Sequence, residues 1–493
     1  MECNNLRRVI TITGLVFCCV SDGYIFGQMS GMVNALGAPD SPIFLTENDI
    51  SWIASTINIT CIFGFIIVGI LSRTLGRRWS TTIVGAPVLL SWILLYYAQD
   101  KFVLLFTRIL VGISYGGVFF QTVVNCGEYL PSSNRQFACN LIISIGTLSG
   151  VMMGHILSLL IDWRQVALIG LIPSGLACIL PLFWLESPYW LASKGQFDKC
   201  EKAFRALRNN NENNEAELKY LIAYEKKSQI EFLTRSNTRF GDIKKIVHAC
   251  KEMYFWKITF TIFIVNIYRA AAGRVLLSTF AITMLQEITG RTDVLLFTLL
   301  VDGFGIIGAA WSFYLINKYK MRRLLFTLGV LSNILLIAFS AALYFVPNKS
   351  WYPWIKVVLM ASYYIVASAG PYAVLEVFIG EVNPLEVKEF SIFVTGTLAG
   401  GVFFLSIKLA STMFSTLGYS GTFLFYAIIT AMCLLFLWVY MPETKGRTLH
   451  EIEVFFKTGK FEHKQEIACN KKLHEVNECN RQENCNLIIG EIG

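Results

Sequence analysis

Long apolar blocks recur along this chain, and they limit its possible folds more than any other feature. About twenty apolar residues in a helix cross the ~30 Å hydrocarbon core of a bilayer, where backbone N–H and C=O groups must pair within the helix. Charged residues make up only 15% of the chain, against about a quarter in soluble proteins. We therefore predict an all-α membrane protein, with apolar blocks near 9–32, 50–71, 80–99, 102–125, 137–160, 165–185, 256–285, 293–316, 324–346, 354–380, 390–414 and 419–441.

The twelve blocks form two sets of six, separated by a polar segment and followed by a polar tail. Within the segment, Gln196–Leu207 and Glu217–Phe232 carry apolar residues at helical spacing, with the turn-like stretch Asn209–Asn214 between them. This pattern predicts short amphipathic helices, and the tail, with few aromatic residues, is predicted to be partly disordered. The predicted units are a six-helix half at 1–185, a cytoplasmic helical linker at 186–254, a second six-helix half at 255–441 and a cytoplasmic tail at 442–493.

The short loops differ in their content of lysine and arginine, which indicates the orientation of the chain. Basic residues concentrate in the cytoplasmic loops of membrane proteins. Every second short loop is rich in them, and the long polar segment and both termini fall on that side, as an even number of spans requires. The basic residues of the predicted cytoplasmic side are Arg73, Arg77, Arg78, Arg135, Lys318, Lys320, Arg322, Arg323 and Lys388.

An internal repeat relates the two sets of blocks. One acidic residue, a proline and a basic residue recur with the same spacing after the fourth and tenth blocks, and a Glu–Ser or Glu–Thr pair follows the sixth and twelfth. Two halves built on one template predict a pseudo-twofold axis along the membrane normal and a central path between the halves. The repeated residues are Glu128, Pro131 and Arg135 with Glu381, Pro384 and Lys388, and Glu186-Ser187 with Glu443-Thr444.

A glycine- and arginine-rich loop joins the second and third blocks. Its glycines allow a tight turn and close helix approach, and its arginines can bond acidic partners and helix C-terminal carbonyls. Together with the repeated charges it predicts a cytoplasmic gate of ion pairs, the alternative being that these charges only anchor the chain. The predicted gate residues are Gly69, Arg73, Gly76, Arg77, Arg78, Glu128, Arg135, Glu186, Glu381, Lys388 and Glu443.

Charged residues also lie within the apolar blocks. A charge at mid-bilayer costs at least about 2.5–3.5 kcal/mol, so Arg269 must face water or a partner. Asp22, Asp302 and Glu376 are the candidate partners, and an unbroken helix would point Arg269 and Arg274 about 140° apart. The alternative is that both arginines form structural ion pairs. The predicted substrate pathway consists of Asp22, Gln28, Asn266, Arg269, Asp302, Gly370, Pro371 and Glu376.

Arg108 lies in the fourth block and begins the pattern Arg108-x3-Gly112-x3-Gly116. This spacing is typical of close helix packing, and the arginine could extend to the membrane surface.

The sequence contains no pattern typical of an enzyme, a cofactor site or a nucleic-acid-binding surface. It has no nucleophile–base pair, phosphate-binding glycine loop or metal-ligand spacing, so we predict neither an enzyme nor a cofactor. It has no clustered basic face outside the loops, which argues against nucleic-acid binding. Its thirteen cysteines are interpreted as free thiols, and Asn348 begins a possible N-glycosylation sequon.

A family resemblance is carried by GILSRTLGRR at 69–78, RILVGISYGG at 108–117, the Glu128/Arg135 pair, ESPYWLASKGQFDKCEKAFRALR at 186–208 and PETKGRTLHEIE at 442–453. They resemble sugar porters of the major facilitator superfamily over nearly the whole chain. LTENDISWIAS at 45–55, Lys408 and GYSGTFLFY at 418–426 resemble the insect facilitated trehalose transporter-like branch. The resemblance implies the twelve-helix major facilitator fold, alternating access to a sugar or polyol, a monomer, and location in the plasma membrane.

Two departures from the family pattern bear on function. In the first span, Ile25 replaces the aspartate that serves proton coupling in symporters of the family, which favours a uniporter. Asp22, about one turn before it, keeps proton coupling as the alternative. In the seventh span, the stretch from Arg269 to Val275 keeps Gly273 but lacks the family's sugar-binding amides. We predict facilitative uniport of trehalose or a hexose. The alternatives are a non-transporting sugar sensor, and a porter of a polyol or of another, for example anionic, solute.

Overall fold

The structure is a computed structural model, and it describes residues 2–39, 41–130, 135–208, 212–234, 247–346, 352–383, 387–447, 449–459 and 461. The chain folds into helices that follow the apolar blocks. The first five long helices and the short helices that follow them are α1 (Glu2–Leu36), α2 (Glu47–Thr74), α3 (Arg77–Tyr96), α4 (Lys101–Tyr129), α5 (Arg135–Leu160), α6 (Trp163–Ile169), α7 (Leu171–Ile179), α8 (Pro188–Ser193), α9 (Phe197–Leu207) and α10 (Glu212–Thr234).

The second part of the chain repeats the pattern of long helices. A 3₁₀ turn, Leu180–Phe183, ends the sixth span, and a π-helical turn, Ser368–Tyr372, lies within the tenth. The helices are α11 (Met253–Ala271), α12 (Arg274–Thr289), α13 (Leu295–Lys318), α14 (Met321–Phe345), α15 (Tyr352–Ala367), α16 (Ala373–Val382), α17 (Lys388–Tyr440) and α18 (Leu449–Thr458).

Eleven helices in the described ranges are long and apolar enough to cross a membrane, and one of them contains two spans. Helix α17 has 53 residues, and a straight helix of that length would measure about 80 Å, far more than the bilayer core. Its path turns at Gly418, whose φ of 67° and ψ of 176° are not helical. Two spans therefore meet at Gly418, and the predicted fold of twelve spans is confirmed.

The seventh span is broken where α11 meets α12. Gly273 has a φ of 77°, in the left-handed region that glycine adopts without strain. A break within the membrane frees backbone groups, and these need partners inside the protein. Tyr363 donates its hydroxyl to the carbonyl of Ala272 at 2.6 Å, and Tyr372 accepts from the N–H of Arg274 at 2.8 Å. The two tyrosines of the tenth span thus stabilise the break.

Helices α1 and α5 pack closely along their whole length. A side chain at Gly23, Gly27 or Gly31 of α1 would overlap α5, successively at Thr147, at Val151 and Gly154, and at Ser158. Small residues at four-residue spacing allow such contact between helices in membranes.

Two large apolar clusters organise the bundle. One lies within the last six spans. The other combines residues of the first six spans, such as Tyr24 and Met29, with Leu276, Phe280 and Ile407 of the last six. The two halves therefore share a packed core, which gives them a continuous interface.

Helices α8 to α10 form a small separate cluster at one end of the bundle, called here the linker end. Cys200, Phe204 and Leu221 belong to its core. Arg208 binds Glu217 at 2.6 Å and the carbonyl of Leu130 at 3.3 Å, which ties the cluster to α4. The predicted linker helices are confirmed, although their joining turn at 209–211 and the tail at 462–493 lie outside the described residues.

Candidate functional site

A cluster of charges lies at mid-depth between the two halves. Oε1 of Glu376 in α16 is 3.3 Å from Nη2 of Arg269 and 3.5 Å from Nη1 of Arg274. Its other oxygen, Oε2, accepts from Ser144 of α5 at 3.1 Å. The three charged side chains are between 16% and 21% exposed. Two guanidinium groups and one carboxylate leave the cluster with one excess positive charge.

Both arginines reach Glu376 because the seventh span is broken between them. Arg269 ends α11 and Arg274 begins α12, so the 140° separation expected for an unbroken helix does not apply across Gly273. Each guanidinium also lies near an aromatic ring, Arg269 at 5.8 Å from the centre of Phe403 and Arg274 at 5.4 Å from that of Tyr372. These ring faces add to the environment that holds the positive charges.

Asp302 does not join the cluster. Its Oδ2 is 2.8 Å from Nδ1 of His155 in α5, and Nε2 of the same ring is 3.0 Å from the carbonyl oxygen of Ser278 in α12. The sequence predicts Asp302 as a candidate partner of Arg269, but in the structure its partner is His155, which the sequence pattern did not indicate. A histidine inside an apolar block was the available signal, because ionisable residues are rare there.

The remaining predicted pathway residues are buried apart from the charge cluster. Asp22 and Asn266 are 5% and 2% exposed, and the described contacts give Asp22 no ion pair. Gln28 is fully buried and faces Arg108. Gly370 and Pro371 form the π-helical turn, and Gly370 packs against Leu328 of α14.

Arg108 is completely buried, so it does not extend to the membrane surface as one interpretation of its sequence pattern proposed. Its Nη2 lies 3.5 Å from both Oε1 of Gln28 and Sδ of Met32. No carboxylate among the described residues forms an ion pair with it.

At the linker end, Arg77 connects three segments of the first half. Its guanidinium binds both oxygens of Glu128, at 2.6 to 3.1 Å, and its backbone N–H donates to Glu186 at 2.7 Å. Gly76, with a φ of 88°, precedes it, and a side chain there would overlap the Glu186 carboxylate. Burial raises the pKa of Glu186, while bonds from the N–H groups of Ser187 and Arg77 lower it.

The second half has a matching arrangement. The carboxylate of Glu443 accepts from the N–H groups of Met321 and Arg322 at 3.0 and 3.1 Å, at the beginning of α14. Lys445 then donates to the carbonyl groups of Ile316, Asn317 and Tyr319 near the end of α13, at 2.7 to 2.8 Å.

The other predicted gate residues have varied surroundings. The carbonyl of Arg73 accepts from the Trp190 indole at 3.3 Å, Arg78 donates to the carbonyl of Leu182, and Glu381 is buried. The prediction that Gly69 allows close approach of a second helix was wrong, because a Cβ atom added to Gly69 would have no neighbouring atom within 4 Å. The side chains of Arg135 and Lys388, and the whole of Asn348, lie outside the described part of the chain.

The halves are also joined at the end opposite the linker. Nζ of Lys408 in α17 binds Oδ1 of Asn48 in α2 at 2.7 Å and lies 4.5 Å above the ring of Trp52. Ser30 accepts from the N–H of Ile282 at 3.0 Å, and Thr283 donates to Asn34 at 3.3 Å. Called here the opposite-end contacts, these bonds join α1 and α2 to the last six spans.

Two six-span halves, a seventh span broken at Gly273, a π-helical turn in the tenth span and a charge cluster between the halves define a transporter of the major facilitator class. Residues 9–456 match the sequence model of the sugar (and other) transporter family, and the chain belongs to this family. It is a multi-pass membrane sugar transporter and not an enzyme.

The chain is similar to several sugar transporters along most of its length. It is 26% identical to the sugar transporter ERD6-like 6 of Arabidopsis thaliana, over 84% of this chain and 83% of that protein. It is 22% identical to the facilitated trehalose transporter Tret1 of Bombyx mori, over 84% of this chain and 80% of that protein. The resemblance to the trehalose transporter branch is thereby confirmed.

Solved structures show the same fold. The proton:xylose symporter XylE bound to 6-bromo-6-deoxy-D-glucose has a TM-score of 0.71 at 17% identity, covering 92% of this chain and all of that one. An inward-open structure of the xylose transporter XylE from E. coli has a TM-score of 0.70 at 17% identity, covering 90% of this chain and 98% of that one.

Proposed function

We propose that this transporter is a uniporter, which carries trehalose or a hexose down its gradient across the plasma membrane. The main support for uniport is the apolar surroundings of Ile25. This residue replaces the coupling aspartate of related symporters and is 1% exposed within the shared apolar core. The described polar contacts of Arg108 are Gln28 and Met32, so no carboxylate takes the place that Ile25 occupies, and the buried Asp22, one turn earlier, has no described ion pair. The trehalose assignment draws on relatives named as facilitated trehalose transporters.

We infer that the charge cluster lies on the substrate path. Arg269, Arg274 and Glu376 remain partly exposed although they lie at mid-depth, as groups that face a water-filled path would. Guanidinium and carboxylate groups can bond sugar hydroxyls in place of the family's amides. The proposed pathway residues remain Asp22, Gln28, Asn266, Arg269, Asp302, Gly370, Pro371 and Glu376, with Asp302 acting through His155.

Alternating access assigns different roles to the two ends of the bundle. With both termini in the cytoplasm, the linker end is the cytoplasmic side, and the opposite-end contacts are extracellular. The described bonds of Arg77 and Glu443 lie within their own halves, which favours rigid halves during rocking. The proposed cytoplasmic gate residues are Gly69, Arg73, Gly76, Arg77, Arg78, Glu128, Arg135, Glu186, Glu381, Lys388 and Glu443.

Uptake of radiolabelled trehalose, glucose and a polyol by oocytes tests the proposal. We expect sugar uptake that stops at equal internal and external concentrations, even when an inward proton gradient is imposed. Accumulation above that level would show a symporter instead. No uptake by protein that surface biotinylation detects would favour the sugar sensor. Wild-type rate and affinity in Arg269→Gln would remove the cluster from the path.

A sugar acid is a second candidate substrate, favoured by the excess positive charge of the cluster. Glu376 can balance only one of Arg269 and Arg274, and a substrate carboxylate would balance the other. Uptake of radiolabelled glucuronate and glucose in parallel separates the two candidates. A sugar acid porter should prefer glucuronate, and Arg274→Gln should reverse that preference. Preference for glucose in the wild type would exclude this candidate.

A further inference from the structure

His155 links the two halves through both of its ring nitrogens. It lies on α5 of the first half, and its partners, Asp302 of α13 and Ser278 of α12, belong to the second. The two contacts measure 2.8 and 3.0 Å. The imidazole is 1% exposed and Asp302 is 6% exposed. Their contact is therefore direct and shielded from solvent.

The two contacts determine how many protons the pair holds. A backbone carbonyl can only accept a hydrogen bond, so Nε2 must carry a hydrogen. A second hydrogen must lie between Nδ1 and Oδ2, because otherwise a nitrogen lone pair would face a carboxylate oxygen at 2.8 Å without water. The contact therefore holds one proton more than a neutral imidazole and a separate carboxylate.

Other charged groups near α5 do not supply this proton. Tyr364 packs beside Gly305, one turn from Asp302, and Arg274, one turn before Ser278, is engaged by Glu376. In the described structure Asp302 is the one charged group in contact with the imidazole. Other ionisable groups on the helices packed against α5 include Asp22 of α1, Arg108 of α4, Arg164 of α6, Glu287 of α12 and Glu376 of α16, and no described hydrogen bond or ion pair joins any of them to His155.

We propose that His155 and Asp302 form a proton-binding site that closes the extracellular side of the transporter. This inference rests on the proposed alternating access and on the extracellular placement of the opposite-end contacts. Closing joins a neutral His155, an ionised Asp302 and one proton from outside into the bonded pair. Opening separates the halves and returns the proton to the same side. No proton crosses the membrane, which agrees with uniport.

The direction of the pH effect follows from the bound proton. An imidazole in water titrates near pH 6.5 and a carboxylate near 3.9, so above about pH 6.5 the open state lacks the proton that the closed state holds. Each unit of rising extracellular pH should then favour the open state about tenfold. Below about pH 6.5 the dependence should flatten, because the open state is already protonated.

Two substitutions should act in opposite directions. In Asp302→Asn the amide can donate to the Nδ1 lone pair, so the contact forms without an added proton and the closed state persists at all pH values. In His155→Ala the contact is lost, and the open state is favoured at all pH values. If the pair only held the helices together, both substitutions would weaken closure, and neither would change how closure depends on pH.

Labelling of a single cysteine measures the equilibrium without any sugar. In a cysteine-free full-length chain, Thr283→Cys lies in the contact with Asn34 and becomes accessible when the extracellular side opens. Its rate of reaction with a membrane-impermeant maleimide is divided by that of Tyr97→Cys, a residue 71% exposed. We expect the normalised rate to rise about tenfold per unit above pH 7 and to stay low and constant in Asp302→Asn.

A flat wild-type profile, or an unchanged slope in Asp302→Asn, would overturn the proton site. Should the cysteine-free chain fail to reach the membrane, hydrogen–deuterium exchange of α12 in the purified native chain, corrected for intrinsic exchange, must show the same pH dependence. A flat profile with normal sugar uptake counts against the proton site alone. A pH-dependent profile without sugar uptake counts against the proposed transport alone.

Discussion

Glu186 and Glu443 occupy equivalent places in the two halves. Each carboxylate accepts from backbone N–H groups at the start of a long helix, Glu186 at Arg77 of α3 and Glu443 at Met321 and Arg322 of α14. The free N–H groups of a helix start and its positive dipole end favour an anion there. The repeat in the sequence therefore corresponds to a repeated helix cap at the linker end.

Substitution of Gly76 tests the cap in the first half. In Gly76→Ala the new side chain would meet the Glu186 carboxylate, at a φ of 88° that alanine rarely adopts. We expect a loss of about 1–3 kcal/mol from backbone strain alone, visible as a lower melting temperature in detergent. Gly69→Ala is the matched control, because that side chain would meet open space. Equal melting temperatures for the two variants would contradict the cap.

Substitution of Arg77 tests its two-point contact with Glu128. A guanidinium binds both carboxylate oxygens at once, whereas an ammonium is a point charge. We expect Arg77→Lys to keep the charge but to lose about 1–2 kcal/mol of stability, with a slower transport rate. Arg77→Lys in a Glu128→Gln background should cost much less, since the contact is already reduced. Additive losses in this double-mutant cycle would show that the two residues act independently.

The central cluster predicts an unequal effect of its members. Glu376→Gln would leave two guanidinium groups without their carboxylate, whereas Arg269→Gln would leave Glu376 paired with Arg274. Removing one partner of a buried pair costs about 3–5 kcal/mol, and partial exposure should reduce this to about 1–3 kcal/mol here. We expect Glu376→Gln to lower the melting temperature and surface expression more than Arg269→Gln. The reverse order would indicate that Glu376 is not the shared partner.

The spans and the repeat could be predicted because both are local properties of the chain. Lipid requires each apolar block to be a helix. The matched glutamates at 186 and 443 can be found by comparing two stretches of the sequence with each other. The family motifs added the fold and the class of substrate in the same way. These features do not depend on which helices touch.

The pairing of charges at mid-depth could not be predicted, because it depends on contacts between distant spans. The expected directions of Arg269 and Arg274 assumed an unbroken helix, and the break at Gly273 is stabilised by Tyr363 and Tyr372 of another span. Nothing in the sequence indicates whether Asp302 pairs with Arg269 or with His155. Only the packing of α5 against α12 and α13 brings that histidine into reach.

The bond between Lys408 and Asn48 should hold closed the end of the bundle that we propose to be extracellular. It is a charge-assisted bond between the halves at 2.7 Å, and an exposed bond of this kind contributes about 0.5–1 kcal/mol. Lys408→Met keeps an apolar stem above Trp52 but removes the bond. We therefore expect the labelling rate of the cysteine at position 283 to rise about two- to fivefold.

Lys101→Met provides the matched control for this prediction. Lys101 lies 3.6 Å from Asp49, and both residues belong to the first half, so losing that pair should leave the labelling rate unchanged. Asn48→Ala should raise the rate as Lys408→Met does, and the double variant should add no further increase, because both substitutions remove one bond. An increase in Lys101→Met equal to that in Lys408→Met would mean that surface charge, and not the bond between the halves, controls opening.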